Sequence, residues 1–160
     1  MALRKIRQVP DEVLRRKAKR VTTIDRSIQR LIGDMIATMQ DASGAGLAAP
    51  QVGVSLRVIV LQMPDEEPIA IVNPEMVKCS EEREVTEACL SVSGYSGQIK
   101  RFGKVTVKGL DRQGKPIRVK GTDLLAQVLQ HEIDHLDGRL YIDRIESPDK
   151  LTRVELEEPE

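Results

Sequence analysis

The chain has 160 residues, enough for one domain with a full hydrophobic core. Its 25 basic and 25 acidic residues cancel, so no global field draws it to nucleic acid, and at 2% aromatics it lacks stacking platforms for bases or sugars. Two cysteines, Cys79 and Cys89, could form one disulfide but are too few for a disulfide-built secreted scaffold, and no segment is long enough to span a membrane. The basic N-terminus (Met1–Arg7) is followed by no apolar stretch, unlike a secretory signal, and Asp11 and Glu12 argue against an organellar transit peptide. A cytoplasmic protein is expected.

Val9-Pro10-Asp11 reads as the entry to a short helix that ends in the basic run Arg15–Arg20, an exposed charged face with RNA contact as the minor alternative. From Ile24, apolar residues at 24, 28, 31, 32, 35, 36 and 39 trace one helical stripe, ending near Asp41 before Ser43-Gly44-Ala45-Gly46. Gly44 to Gly53 carries two glycines one residue apart and a single amide, Gln51. That suits a tight wall beside a site or, equally, a plain helix-to-strand connection. Arg57–Gln62 and Ile69–Val72 read as short strands, with Glu75–Lys78 continuing the second past Asn73-Pro74. Cys79 reads as a small buried or strand-end residue. Lys104–Val107 and Pro116–Lys120 should pair as antiparallel strands around a turn at Asp111–Gly114. Thr122 then N-caps a helix that Gly138 ends, and Leu140–Ile142 forms a short tail strand. Residues 1–146 make the domain; 147–160 are expected to be a short, acidic, flexible tail holding Glu155, Glu157, Glu158 and Glu160.

Both histidines of the chain, His131 and His135, lie in Gln130-His131-Glu132-Ile133-Asp134-His135 on that last helix. Four residues apart, their Cβ atoms sit roughly 5–6 Å from each other on one face and can converge on one metal ion. Glu132 lies one step round, beside the ion rather than on it, where a general base belongs. The flanking residues Leu124, Leu125, Val128, Leu129, Ile133 and Leu136 are apolar, so the helix is buried and unpaired polar groups on it would be costly. Cys89, in Glu87-Ala88-Cys89-Leu90-Ser91-Val92, is the natural third ligand. A thiolate with two imidazoles leaves a fourth tetrahedral position open for water, the mark of a catalytic rather than a structural ion. Glu87, two residues before Cys89 on extended backbone, points to the same side, either supporting the ligands or tied to an arginine such as Arg101.

Gly44-x-Gly46-Leu-Ala-Ala-x-Gln51, Glu87-x-Cys89-Leu90-Ser91 and Gln130-His131-Glu132-x-x-His135 together resemble, in order and spacing, the three motifs of the peptide deformylases. The resemblance runs from the first helix to about residue 145. It departs from the family pattern at Ala88, where glycine is usual, and at Ser93, where proline is usual. It implies an α+β fold with mixed, largely antiparallel strands wrapped around a central HExxH helix, and removal of the N-formyl group from the N-terminal methionine of nascent polypeptides with release of formate. It further implies one divalent ion, Fe2+ natively with Zn2+, Ni2+ or Co2+ able to substitute, although thiolate and imidazole donors by themselves suit zinc.

On that reading Cys89, His131 and His135 hold the ion, and Glu132 is the base. The Leu90 backbone N–H and the Gln51 amide meet negative charge on the formyl oxygen. Leu124 and Val128, with Gly46 and Val85 nearby and Glu87 at the edge, line the slot for the methionine side chain. Partners are formylmethionyl nascent chains and a transient ribosome contact, with no DNA or membrane, and the protein is expected to be a monomer. Two competing readings remain. A zincin-type endopeptidase would need Glu146 as third ligand, and a metal-stabilised binding domain would need Cys79 as fourth.

Overall fold

Every residue of Val58–Leu61 (β2) is buried, because helices cover both faces of the sheet at this point. Val58 and Val60 point to one face, where Ile28, Leu31, Ile32, Met35 and Met39 of helix α1 (Arg26–Asp41) pack with Leu47 and Val72. Ile59 and Leu61 point to the other face, where Val128, Leu129, Ile133 and Leu136 of helix α2 (Asp123–Leu136) pack with Ile71, Val105 and Val107. The fully buried leucines 129 and 136 each contribute about 1.5–3 kcal/mol. The period of two in the strand and of 3.6 in the helices thus meet in two apolar layers.

The computed structural model describes residues 1–154. One antiparallel sheet runs in the order β1 (Gly46–Ala48), β2, β3 (Ile69–Cys89), β4 (Val92–Leu110) and β5 (Pro116–Thr122), with β6 (Leu151–Arg153) beside the start of β4. A lone parallel bridge, Lys19 to Leu56, lies outside it. The chain is therefore α+β, with α2 laid across the sheet and the long β3–β4 hairpin curling past it.

β3 runs past Asn73-Pro74 and on beyond Lys78, where the sequence reading ended it, to Cys89. Register shifts between Val72 and Glu75, and between Met76 and Lys78, absorb Asn73-Pro74 without ending the strand. Asn73 is also spoken for: its side chain accepts from the Val21 N–H (2.8 Å) and donates to the Val21 carbonyl (2.9 Å). Cys79, expected at a buried or strand-end position, is exposed in mid-strand, and both cysteines are free.

Asp25 caps α1 by accepting from the Ile28 N–H (3.1 Å). Gly138, at φ +74°, ends α2 in the left-handed conformation that glycine adopts without strain. Thr122 holds the N-cap position of α2 without a side-chain cap bond. The expected early helix is one 3-10 turn, Glu12–Arg15, which stops before most of the basic run.

Two expectations for the C-terminal part are corrected. Leu140–Ile142 is not a strand: Tyr141–Arg144 is a 3-10 turn that buries Leu140 and Tyr141 against Cys89, Val92 and Ile99. Residues 148–153 are built into the fold, a 3-10 turn leading to β6, whose Leu151, Thr152 and Arg153 pair with Gly97, Ser96 and Tyr95. The acidic residues from Glu155 onward lie outside the described residues.

Candidate metal centre and active site

The tip of the β3–β4 hairpin hangs over the face of α2 that carries both histidines. Cys89 ends β3, just after a register shift at Glu87, and pairs with Val92 across the tip. Its Sγ lies 3.3 Å from His135 Nε2, which lies 3.3 Å from His131 Nε2. Among the described residues this is the only group of three or more candidate ligands that converges.

The chemistry of these donors fits a cation. His131 Nδ1 is 2.7 Å from Glu87 Oε1, and a carboxylate accepts only, so Nδ1 carries the ring's proton and Nε2 presents a lone pair. That lone pair faces a second imidazole nitrogen and a sulfur. Electron-rich atoms so close repel unless a positive charge lies among them, and thiolate plus imidazole is a donor set for a soft-to-borderline divalent ion. A proton competes for the same lone pairs. Burial lowers the His135 pKa and His131 lowers it further, to about 3, whereas Glu132, Cys89 and Glu87 outweigh burial at His131 and raise it.

Behind the ligands runs a buried ionic network. Arg101, 3% exposed, donates from Nε to Glu87 Oε2 (2.7 Å), from Nη2 to Glu87 Oε1 (2.8 Å) and from Nη1 to Asp134 Oδ2 (2.7 Å). Arg144 holds Asp134 through two further bonds, 2.7 and 2.8 Å. Burial alone would raise the Glu87 carboxyl; Arg101 and then His131 overcome it and bring it down to about 2. Gln130 ties α2 to β4 by accepting from the Phe102 N–H and donating to the Phe102 carbonyl, both 2.8 Å.

Glu132 differs from its neighbours. It is 3% exposed, its Oε1 has no hydrogen-bond partner among the described residues, and burial raises its carboxyl to about 7. Gly46 of β1 lies against it: a Cβ there would sit 2.6 Å from Glu132 Oε2 and 2.9 Å from Val128 Cγ1. The Gln51 carboxamide is pinned. Its Oε1 accepts from the Ala48 N–H (3.0 Å), and its Nε2 donates to Ser91 Oγ (3.1 Å) and points at Cys89 Sγ (3.7 Å).

These groups open onto one cavity of about 480 Å³, whose wall includes Gly44–Gly46, Gln51, Leu90, Leu124, Val128 and Glu132. The polypeptide deformylase family model matches residues 3–151. The chain belongs to this family. A peptide deformylase of Dehalococcoides mccartyi is 57% identical over 155 residues, 96% of this chain and 93% of that one. One from Natranaerobius thermophilus is 50% identical, covering 91% and 94%. The crystal structure of the Legionella pneumophila peptide deformylase superposes with a TM-score of 0.89 at 54% identity, over 93% of this chain and 89% of that one. That of Ehrlichia chaffeensis with actinonin gives 0.90 at 37%, over 94% and 92%. The deformylases are metal-dependent enzymes, and the thiolate–imidazole cluster accords with that.

Of the residues singled out in this deformylase sequence, Gly46, Gln51, Leu90, Leu124, Val128, His131 and Glu132 border the cavity with Cys89, and His135 lies behind them. Val85 does not. It packs with Ile99, Ile142 and Ile145 instead, while Thr86 and Ala88 border the cavity. Glu87 borders the cavity, but its carboxylate is taken by Arg101 and His131, so it is not a pocket-lining group. Sequence reasoning missed Asp134, Arg144, Ser91 and Tyr141, whose ring stacks 6.4 Å from that of His131. Asp134 and Ser91 lay in view inside the motifs around His131 and Cys89, but no role was read for them; Arg144 and Tyr141 carry no local signal.

Proposed function

We propose that Cys89, His131 and His135 hold a single divalent ion, and that Glu132 handles the proton in the family's reaction. The protein is a metal-dependent hydrolase that removes the N-formyl group from the N-terminal methionine of newly made polypeptides, releasing formate. The observation that carries the assignment of roles is the three-donor cluster with the unpartnered Glu132 carboxylate beside it at the cavity wall. A divalent ion held by these donors supplies Lewis acidity, polarising the formyl carbonyl and making water more acidic.

The chain's own groups do the rest. Glu132 takes the proton of the attacking water and passes it to the leaving amine as the formyl C–N bond breaks. Burial raises its carboxyl, to about 7 in the metal-free protein, and so favours its taking up and handing on a proton. The Gln51 Nε2, fixed by Ala48 and Ser91, and the Leu90 backbone N–H face the charge that develops on the formyl oxygen. Because the Gln51 amide is set before substrate arrives, little reorganisation of it is needed. Gly46, Leu124 and Val128 offer an apolar slot for the methionine side chain. Among the described residues β1 pairs only with β2, so its other edge can take an extended peptide backbone.

Ferrous iron is proposed as the native ion, with zinc, nickel or cobalt able to replace it. A monomer is proposed, since one chain can supply the whole ligand set. Among the described residues no helix is long and apolar enough to cross a membrane, and a cytoplasmic enzyme meeting chains in transient contact with the ribosome is proposed. Exposed Arg16, Lys17 and Arg20 are suited to touch RNA there. The endopeptidase reading loses its ligand, since Glu146 pairs with Lys100 at the surface (3.2 Å). The closed-site reading loses Cys79, which is outside the cluster. Anaerobically prepared protein loaded with ferrous iron should release formate from formyl-Met-Ala-Ser. No release from fully loaded protein would overturn the assignment.

A further inference from the structure

Consecutive residues near the N-terminus bond to the two segments that carry the Gln51 amide and the Cys89 thiol. The Arg7 N–H donates to the Gln51 carbonyl (2.7 Å), Gln8 Nε2 to the Leu90 carbonyl (2.7 Å), and the Val9 N–H to the Ser91 carbonyl (3.0 Å). The first and last are backbone bonds, which do not depend on the side chain. The middle one needs Gln8 itself. A carbonyl only accepts, so the amide nitrogen of Gln8 faces Leu90, and its Oε1 is left to accept from the Ser93 hydroxyl (2.9 Å). Ser93 stands where the deformylases usually have proline, which has no hydroxyl to give.

We propose that Gln8, latched by Ser93, is a positioning residue that holds the Leu90–Ser91 peptide in its working orientation. This rests on the catalytic reading above. The Leu90 carbonyl and the Ser91 N–H belong to one planar unit. Gln8 bonds one end of it, and at the other end the Ser91 N–H donates to Cys89 Sγ (3.4 Å). Bonds at the two ends of a peptide polarise it in the same sense, so the bond from Gln8 tightens the one to sulfur. Without Gln8 the plane is freer to turn. The Ser91 N–H then slackens from the sulfur, and the N–H of Leu90, on the same residue as the released carbonyl, loses its fixed aim at the formyl oxygen. Gln8 does not line the cavity, so it acts through this peptide and not on the substrate.

The test measures kcat and KM for formyl-Met-Ala-Ser in the metal-loaded protein, and the thiolate-to-metal absorption band of the Co2+-loaded protein. Wild type is compared with Gln8→Ala, Gln8→Glu, Ser93→Ala and the Gln8→Ala/Ser93→Ala double variant. Both side chains are exposed, so the substitutions spare the core. Gln8→Ala should lower kcat by about threefold to tenfold with KM within about twofold, because the bond serves charge that exists only in the transition state. Its cobalt band should move as the bond to sulfur slackens. Gln8→Glu keeps an acceptor for Ser93 but cannot donate to the Leu90 carbonyl, so it should lose as much as the alanine variant. Ser93→Ala should lower kcat about twofold alone and no further beside Gln8→Ala, since Ser93 acts through Gln8. An unchanged kcat or an unmoved band in Gln8→Ala, a loss carried in KM instead, a fully active Gln8→Glu protein, or losses that multiply in the double variant overturns the latch. If metal-loaded wild type releases no formate, the catalytic reading fails, and the latch fails with it.

Discussion

Replacing Arg101 with leucine tests whether the ionic network behind the ligands holds both the fold and the ion. Arg101 supplies three of the bonds that neutralise Glu87 and Asp134, all within the protein interior. Asp134 keeps Arg144, but Glu87 is left with His131 alone. Stranding a buried charge in this way costs about 3–5 kcal/mol. For a chain of this size, with Tm moving about 2–4 °C per kcal/mol, the metal-free protein should melt about 6–20 °C lower. The ion should be affected too. Without the guanidinium, burial carries the Glu87 carboxyl up from about 2, it takes a proton, and it no longer accepts cleanly from His131 Nδ1. Loss of such a supporting bond weakens ion affinity about 10–100-fold. Thermal melts and titration against a chelator read the two effects. A melting point within 3 °C of wild type with unchanged affinity would refute the reasoning.

Gly46→Ala should place a methyl against Glu132 Oε2 and Val128, displacing the carboxylate and lowering kcat about 100-fold while the ion stays bound. Turnover within twofold of wild type would mean that Glu132 has room to move. Gln51→Ala should raise the barrier by about 2.7–4 kcal/mol, seen in kcat for formate release. A smaller loss would leave the amide a structural tie between Ala48 and Ser91. Acid should undo the network. The folded Glu87 pKa is below its ordinary 4.5, so its contribution is full above about pH 4.5 and is lost as the pH falls towards 2. The stability advantage of metal-free wild type over Glu87→Gln, measured in urea, should shrink by up to about 3 kcal/mol across that window. An advantage that does not change with pH would show that the carboxylate is not held down.

The sequence shows its chemistry more openly than its shape. The histidines on α2 and the thiol of Cys89 announce themselves because the chain has only two histidines and two cysteines, and the histidines are four residues apart. The length of β3 was hidden because residues 79–84 are polar and exposed and carry no apolar alternation, and only pairing with β4 makes them strand. Val85 was misplaced because its facing depends on a register that no local pattern fixes. Arg144 and Tyr141 come to the site from a 3-10 turn after α2, a long-range placement without a periodic signature. The pairing of β6 with β4 was concealed for the same reason, in a segment whose charge suggested a loose end.

The measurement that bears most directly on the account is Glu132→Gln. The substitution keeps the shape of a side chain whose Oε1 has no partner among the described residues and removes its capacity to accept a proton. Metal analysis should still find one ion per chain, and formate release from formyl-Met-Ala-Ser should fall by about 100- to 10,000-fold. Full activity in the metal-loaded variant would contradict Glu132 as the proton-handling group; loss of the ion would contradict Cys89, His131 and His135 as a sufficient ligand set.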